Sequence, residues 1–189
     1  MAEVDIGKVE GWVEVIVKDK QGRVKYHIGA PPTQRQERPT EDEDCPFLES
    51  LPAKFLDYYW RKNIVTNVGL AAIVRLIGAG LTENKFGYLA IGTGTTAESA
   101  TDTALQAEIK RKTATVSQTT TTITGDTCLF EATFSSADTL SGSHNVSETG
   151  VFNASTGGIL LARKVFSAVP VNWNAGDTLT IRYYVQMTR

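Results

Sequence analysis

From residue 88 to the end, the chain is cut into short β-rich runs at near-regular spacing, and that rhythm leaves few folds open. The runs cover 88–91, 112–117, 119–124, 128–134, 146–152, 159–166 and 179–187. Turn-forming clusters separate them: Gly125-Asp126, Ser141-Gly142-Ser143, Ser155-Thr156-Gly157-Gly158 and Asn174-Ala175-Gly176-Asp177. Gly reaches backbone angles closed to other residues, and Asn, Asp and Ser bond back onto their own main chain. Strands at this spacing argue for antiparallel packing rather than a βαβ sheet. The expected fold is mainly β, an antiparallel β-sandwich or jelly-roll-like domain with one or two helices on its N-terminal side and an extended arm.

Three stretches make up the chain on this reading. Residues 1–30 hold a β-hairpin: Trp12-Val13-Glu14-Val15-Ile16-Val17-Lys18 alternates, Asp19-Lys20-Gln21-Gly22 turns, and 23–28 returns, with polar residues on one face. Residues 31–50 form a Pro-rich, acidic linker or arm. Its first fourteen residues carry three prolines, seven charges and no large apolar side chain, too little to fold without a support. Residues 51–189 form the main domain, opening with helices. The first spans 51–62, with Pro52 in its first turn and Phe55, Leu56, Tyr59 and Trp60 available for burial. The second runs from Asn67 to Leu76 or Ile77, with Thr66 as N-cap and Gly78 and Gly80 closing it. It is apolar on nearly every side, which puts it inside the fold or inside an assembly.

Gly92-Thr93-Gly94, after the run 88–91, invites comparison with a phosphate-binding loop. Such a loop needs a Lys and a Ser or Thr at fixed spacing before a helix. Here Thr95, Thr96, Ala97 and Glu98 follow, and the next basic residue is Lys110. There is no third glycine and no βαβ rhythm for a dinucleotide site. Gly92 and Gly94 are therefore expected to form a structural loop, giving the chain a tight exit from a strand. The 101–111 stretch that follows is expected to end in a short helix-like turn.

The residues do not assemble a catalytic pattern. Of the two histidines, His27 lies in the hairpin, and His144 lies near Ser143, Ser147 and Glu148 in a polar loop. A triad is defined by geometry, and a polar turn has the same composition. We expect no catalytic residues, no cofactor-binding residues and no metal ligands: His and Cys lack zinc spacing, and Glu41-Asp42-Glu43-Asp44 lacks the alternation and glycine of a calcium loop. Lys110-Arg111-Lys112 is the one dense basic patch, without interleaved aromatics for base stacking. The formal net charge is −2, all of it in the first 62 residues (twelve acidic against ten basic), so no field recruits nucleic acid or an anionic membrane. The apolar stretch 68–79 contains Arg75 and is too short to cross a bilayer. The first residues, Met1-Ala2-Glu3-Val4-Asp5, lack a secretory pattern, so Asn145-Val146-Ser147 and Asn153-Ala154-Ser155 are not expected to carry glycans. Cys45 and Cys128 make no disulfide framework, and Cys128 is expected to behave as a small buried apolar residue.

Several segments together resemble small structural proteins of tailed bacteriophages. They are Asn63-Ile64-Val65-Thr66-Asn67-Val68-Gly69-Leu70, Tyr88-Leu89-Ala90-Ile91-Gly92-Thr93-Gly94-Thr95-Thr96, Thr101-Asp102-Thr103-Ala104-Leu105 and Glu108-Ile109-Lys110-Arg111. Glu148-Thr149-Gly150-Val151-Phe152-Asn153, Leu160-Leu161-Ala162-Arg163 and 172–181 are similar to the closing strands of those proteins. The resemblance covers 63–189, and the acidic insert at 31–50 departs from the usual pattern. It implies a non-enzymatic virion component, made in the host cytoplasm: a capsid decoration (cement) protein, or alternatively a tail fibre or tail appendage that binds a host surface polymer. The implied partners are other virion proteins, major capsid or tail proteins, and further copies of the chain. Phe47, Phe55, Tyr58, Tyr59 and Trp60 are the expected inter-subunit contacts, because aromatic side chains supply much of the energy of interfaces. For Phe55, Tyr59 and Trp60 an intramolecular core is the equal alternative.

Overall fold

A computed structural model describes residues 8–29, 63–78 and 84–188. In chain order the elements are β1 (Lys8–Lys18), β2 (Val24–Ile28), β3 (Ile64–Val65), α1 (Asn67–Ile77), β4 (Tyr88–Gly92), β5 (Glu108–Thr113), β6 (Thr115–Thr119), β7 (Thr127–Phe134), β8 (Ser143–Phe152), β9 (Leu160–Asn172) and β10 (Thr178–Thr188). They form two antiparallel five-stranded sheets, ordered β2-β1-β10-β7-β6 and β3-β9-β8-β4-β5. The protein is a mainly β, sandwich-like fold. The 12–28 hairpin is present as β1 and β2, but it does not stand apart. β1 pairs with β10 over its whole length, from Lys8 opposite Thr188 to Lys18 opposite Thr178.

Period-two alternation explains the core. Val15 and Val17 on β1, Ile181 and Tyr183 on β10, and Phe130 and Phe134 on β7 point from the first sheet to the second. Leu89 and Ile91 on β4, Val151 on β8 and Leu161 on β9 meet them. The chain changes sheet three times in tight connections: at Ala114, and at the 3₁₀ turns Ser136–Asp138 and Trp173–Ala175. Trp173 is buried in the core at the last of these. A second, smaller cluster of Ala90, Leu105, Phe152 and Leu160 lies apart from the main core.

The helix at Asn67–Ile77 is where the sequence places it. Thr66 is its N-cap: Oγ1 accepts from the Gly69 amide at 3.0 Å and donates to the Leu160 carbonyl at 2.5 Å. Gly69 permits close docking, because a Cβ there would run into the Leu161 backbone. Of the two settings expected for α1, inside the fold or inside an assembly, the described residues do not supply the first. It buries Gly69 and Ala72 and exposes Leu70, Val74 and Ile77. Gly78 ends the helix with an extended backbone (φ −79°) rather than a left-handed cap. The 51–62 helix, the 31–50 arm and Gly80 lie outside the described residues.

Three strand expectations shift. The run 112–117 is split at Ala114, its first residues closing β5 in the second sheet and its last opening β6 in the first. The helix-like turn expected within 101–111 gives way to β5 from Glu108, which pairs with β4. The run 119–124 is a loop beyond Thr119, because the Asp126 carboxylate draws the amides of Thr121, Thr122 and Ile123 around itself, each at 2.9 Å. Thr favours strands, yet a carboxylate that collects three amides outweighs that propensity.

Replacing Thr66 by Val removes the cap and the bond to Leu160. Loss of an N-cap costs about 1–2 kcal/mol. Melting of the variant should therefore fall by roughly 2–4 °C per kcal/mol, while Thr66→Ser stays near the parent.

Candidate functional site

The most densely bonded polar cluster among the described residues lies under the glycine loop. β4 and β8 pair so that Gly92 is opposite Glu148 and Ala90 is opposite Gly150, while β9 sets Arg163 opposite Gly150. These residues share the face turned away from the main core, and residues 93–107 fold over it. Glu148 is fully buried there. Its Oε1 accepts from the amides of Gly94 (3.0 Å) and Ala107 (2.7 Å), and its Oε2 accepts from the Gln106 amide (3.1 Å) and Arg163 Nε (2.9 Å). Arg163 Nη2 is 2.8 Å from the same Oε2. Arg163 also donates from Nη1 to Asp102 at 3.0 Å and from Nη2 to the Thr96 carbonyl at 3.1 Å. Burial works against the guanidinium charge, but Glu148 and Asp102 more than offset it and raise the Arg163 pKa above its ordinary value.

Gly92 and Gly94 belong to this cluster. They were expected to serve a tight turn, but neither has a positive φ. Their role is space. A Cβ on Gly92 would lie 2.5 Å from Glu148 Oε1 and from the Ala107 carbonyl oxygen, and one on Gly94 would collide with the same carboxylate. The loop is further tied by Gln106 Oε1, which accepts from the amides of Thr95 (3.1 Å) and Thr96 (3.0 Å), and by Lys164 Nζ to Glu98 at 2.7 Å. Glu148 has its lone pairs engaged on both oxygens and no open face. The arrangement holds a loop; it does not present a base or a nucleophile to a substrate.

The other singled-out residues are dispersed. His144 Nδ1 accepts from Trp173 Nε1 at 2.9 Å, Ser147 Oγ donates to the Gly94 carbonyl at 2.9 Å, and Glu148 is held as above, so the three do not meet. Lys110-Arg111-Lys112 lies on β5, where alternation divides it. Lys110 bonds Thr139 and Lys112 pairs with Asp138 at 2.6 Å. Arg111 pairs with Glu108 at 2.6 Å and stacks 3.4 Å from the centre of the Phe152 ring. His27 Nε2 lies 2.7 Å from Glu14 Oε1. It extends an outer-face row in which Glu14 also meets Arg182 at 3.2 Å, and Arg182 pairs with Glu131. Cys128 is half-buried, which pushes its thiol pKa up. No group of three or more His, Cys, Asp or Glu is arranged to hold a metal among the described residues. Within the same residues, no helix is long and apolar enough to cross a membrane. Phe47, Phe55, Tyr58, Tyr59 and Trp60, Cys45 and the 41–44 acidic run lie outside the described residues.

Two surface features were not anticipated. The chain leaves the first sheet at Gly29 and is back at Asn63, and both points touch β1. Gly29 (φ +80°) lies so close to the Val13 carbonyl that a Cβ would overlap it, and the Asn63 amide donates to the Gly11 carbonyl at 2.9 Å. The second feature is a largely apolar groove of about 420 Å³ beside α1, floored by Phe86, Phe130 and Leu161. No family model matches the chain, and neither a curated protein nor a solved structure matches it.

Substitution of Glu148 by Gln leaves Arg163 buried without its partner charge and turns an amide NH₂ toward donors. The expected loss is about 3–5 kcal/mol, read by chemical denaturation. Gly94→Ala should weaken the protein in the same direction. A pH test addresses Asp126. Partial burial pushes its carboxyl up, but the amides of Ile123, Thr121 and Thr122 and the Gln186 side chain outweigh this and hold its pKa well below the usual carboxylate range. Its contribution is complete above the unfolded value near about pH 4. That contribution is lost as the pH falls through the lower folded value. Asp126→Asn should therefore be less stable at neutral pH and show a shallower decline on acidification.

Proposed function

We propose that the protein is a non-enzymatic structural component of a tailed-phage virion, with capsid decoration as the leading role. The observation that carries this reading is the anchoring of residues 30–62. Thirty-three residues depart and return at contacts with Val13 and Gly11, two positions apart on one strand. A segment that is polar and Pro-rich in its first half, aromatic in its second, and flanked by two contacts on one strand of a β-sandwich can reach a neighbouring subunit without disturbing the domain that carries it. Ordering it there costs entropy that the contact must offset, which suits a site where many copies add weak contacts. Phe47, Phe55, Tyr58, Tyr59 and Trp60 are the proposed anchors of that contact, with the capsid shell or other copies of the chain as partners.

A tail appendage is the second reading, favoured by one feature. The Thr-rich loop at 120–126 is held in shape by Asp126, with Ile123 exposed at 38%. A loop ordered before contact loses little entropy on binding a surface polymer.

Immunogold imaging of intact virions separates the two: label over the head supports decoration, label on the tail supports the appendage, and no label on any virion overturns both. Deleting 31–46 should leave the isolated domain folded, with melting near that of the parent, because both anchoring contacts lie outside the deletion. The same deletion should weaken binding to shells or their resistance to heat. A deletion that unfolds the monomer would refute the arm as an inter-subunit clasp.

A further inference from the structure

The fold supplies no reason for a glycine at position 87. Every other glycine among the described residues either takes a positive φ, as at 125 and 176, or lies where a Cβ would press on a neighbour, as at 69 and 150. Gly87 does neither: its φ is not positive, and a Cβ there would meet no atom within 4 Å. It stands at the head of β4 with the parity of Leu89 and Ile91, whose side chains fill the core, so a side chain at 87 would point the same way just beyond them. Glycine in a strand run marks a place where a ligand or another backbone comes close. Here that place is a cleft of about 840 Å³ between the start of β4, the Ala114 crossing and the loop after β8. Small-ligand sites span roughly 300–1,000 Å³.

The walls of the cleft are fixed by the fold. Gly87 donates its amide to the Phe152 carbonyl at 3.1 Å, and its carbonyl accepts from the Ala114 amide at 2.8 Å. Across from it stands Asn153, 5% exposed, whose Oδ1 accepts from the Ile159 amide at 2.7 Å. Arg111 Nη1 holds the same loop by donating to the Ala154 and Gly157 carbonyls, at 3.1 and 2.7 Å. A site of this kind loses little freedom on binding. Its lining selects among ligands. Phe86 and Tyr88 offer aromatic surface, and Asn84, Thr113 and Ser155 offer amide and hydroxyl groups. Among the described residues, Lys85 is the one charged side chain on the lining, and no carboxylate joins it. A peptide strand would need a free backbone edge, but β4 is paired on both sides and both backbone groups of Gly87 are engaged. A polyphosphate is poorly matched by one lysine without a helix N-terminus. We infer that the cleft binds a saccharide bearing a carboxylate, a hexuronic acid unit. Its ring lies over Gly87, its hydroxyls meet the amide and hydroxyl side chains, and its carboxylate meets Lys85. The cleft is separate from the 120–126 loop, and binding by the free chain is measured without virions, so its failure and that of the virion reading are distinguishable.

The test is isothermal titration calorimetry on the full chain, with oligomers of galacturonic and glucuronic acid and, as uncharged probes, oligomers of glucose and N-acetylglucosamine. The parent should bind the uronic oligomers more tightly than the uncharged ones. Gly87→Thr should raise the dissociation constant by about 10-fold or more, because its side chain takes the space of the ring. Its melting temperature should match or exceed that of the parent, since an open strand position gains from a β-branched residue. Lys85→Ala should weaken binding of the uronic oligomers by about 10-fold. No heat of binding from any of the four probes up to about 10 mM would overturn the inference. So would unchanged affinity in a folded Gly87→Thr variant, or equal affinity of the parent for uronic and uncharged oligomers. A Gly87→Thr chain that melts well below the parent would also overturn it, by showing that the fold itself needs the glycine.

Discussion

A buried carboxylate on the outer side of a sheet organises half of this protein. Glu148 stands where a sandwich strand would normally meet water, and it is enclosed because residues 93–107 wrap over it and donate three amides. Without that carboxylate, the loop's inward-facing amides would lack acceptors, and Arg163 would be a charge without its main partner. The reverse also holds: without the loop, Glu148 would be solvated, and Phe152 and Leu160 would lose the cover that Leu105 gives them. Such a pair contributes little net free energy compared with apolar residues of the same size. What it contributes is definition. A loop rich in Thr, Ser and Ala has little apolar surface with which to choose a position, and directional bonds to one carboxylate choose it instead.

The glycines follow from the same constraint. Backbone can approach a carboxylate to 3.0 Å only where no side chain intervenes, and Gly92 and Gly94 leave that room. Gly150, opposite Ala90, keeps the sheet surface low enough for Leu105 and Leu160 to meet above it. The second sheet is thus covered by its own chain on its outer side and by the first sheet on its inner side. The first sheet is laid out differently, with the row His27–Glu14–Arg182–Glu131 crossing four of its strands. The two faces of the sandwich are not equivalent surfaces for a partner.

Legibility in the sequence tracked the range of the interaction. α1 could be placed because its signals are local: Thr66 caps, Gly78 ends, and the apolar residues lie between. The strands 128–134, 146–152, 159–166 and 179–187 could be placed because alternation and turn residues are also local. The glycine loop was read as a tight exit from a strand and the packing role of its glycines was missed, since nothing near Gly92 announces that Glu148, 56 positions later, will be its neighbour. The available signal was an acid, Glu148, and the Arg163-Lys164 pair, set within strand runs where an exposed face would tolerate them. Pairing across β8 and β9 turns them into a cluster, and pairing is a property of register rather than of composition. Residues 120–124 were misread as strand for a related reason: propensity counts Thr residues, whereas Asp126 decides where their amides point.

An exposed ridge on α1 is harder to reconcile with a solitary domain than with an assembly. The helix has Gly69 and Ala72 on its docking side, so it lies low against β9 and leaves its larger side chains, Val74 and Ile77, facing outward. A helix selected only to cap this sandwich would do the opposite, turning Leu, Ile and Val inward and polar residues out. The inverted arrangement costs nothing structurally once a second surface covers the ridge, and it leaves a standing aggregation liability if none does.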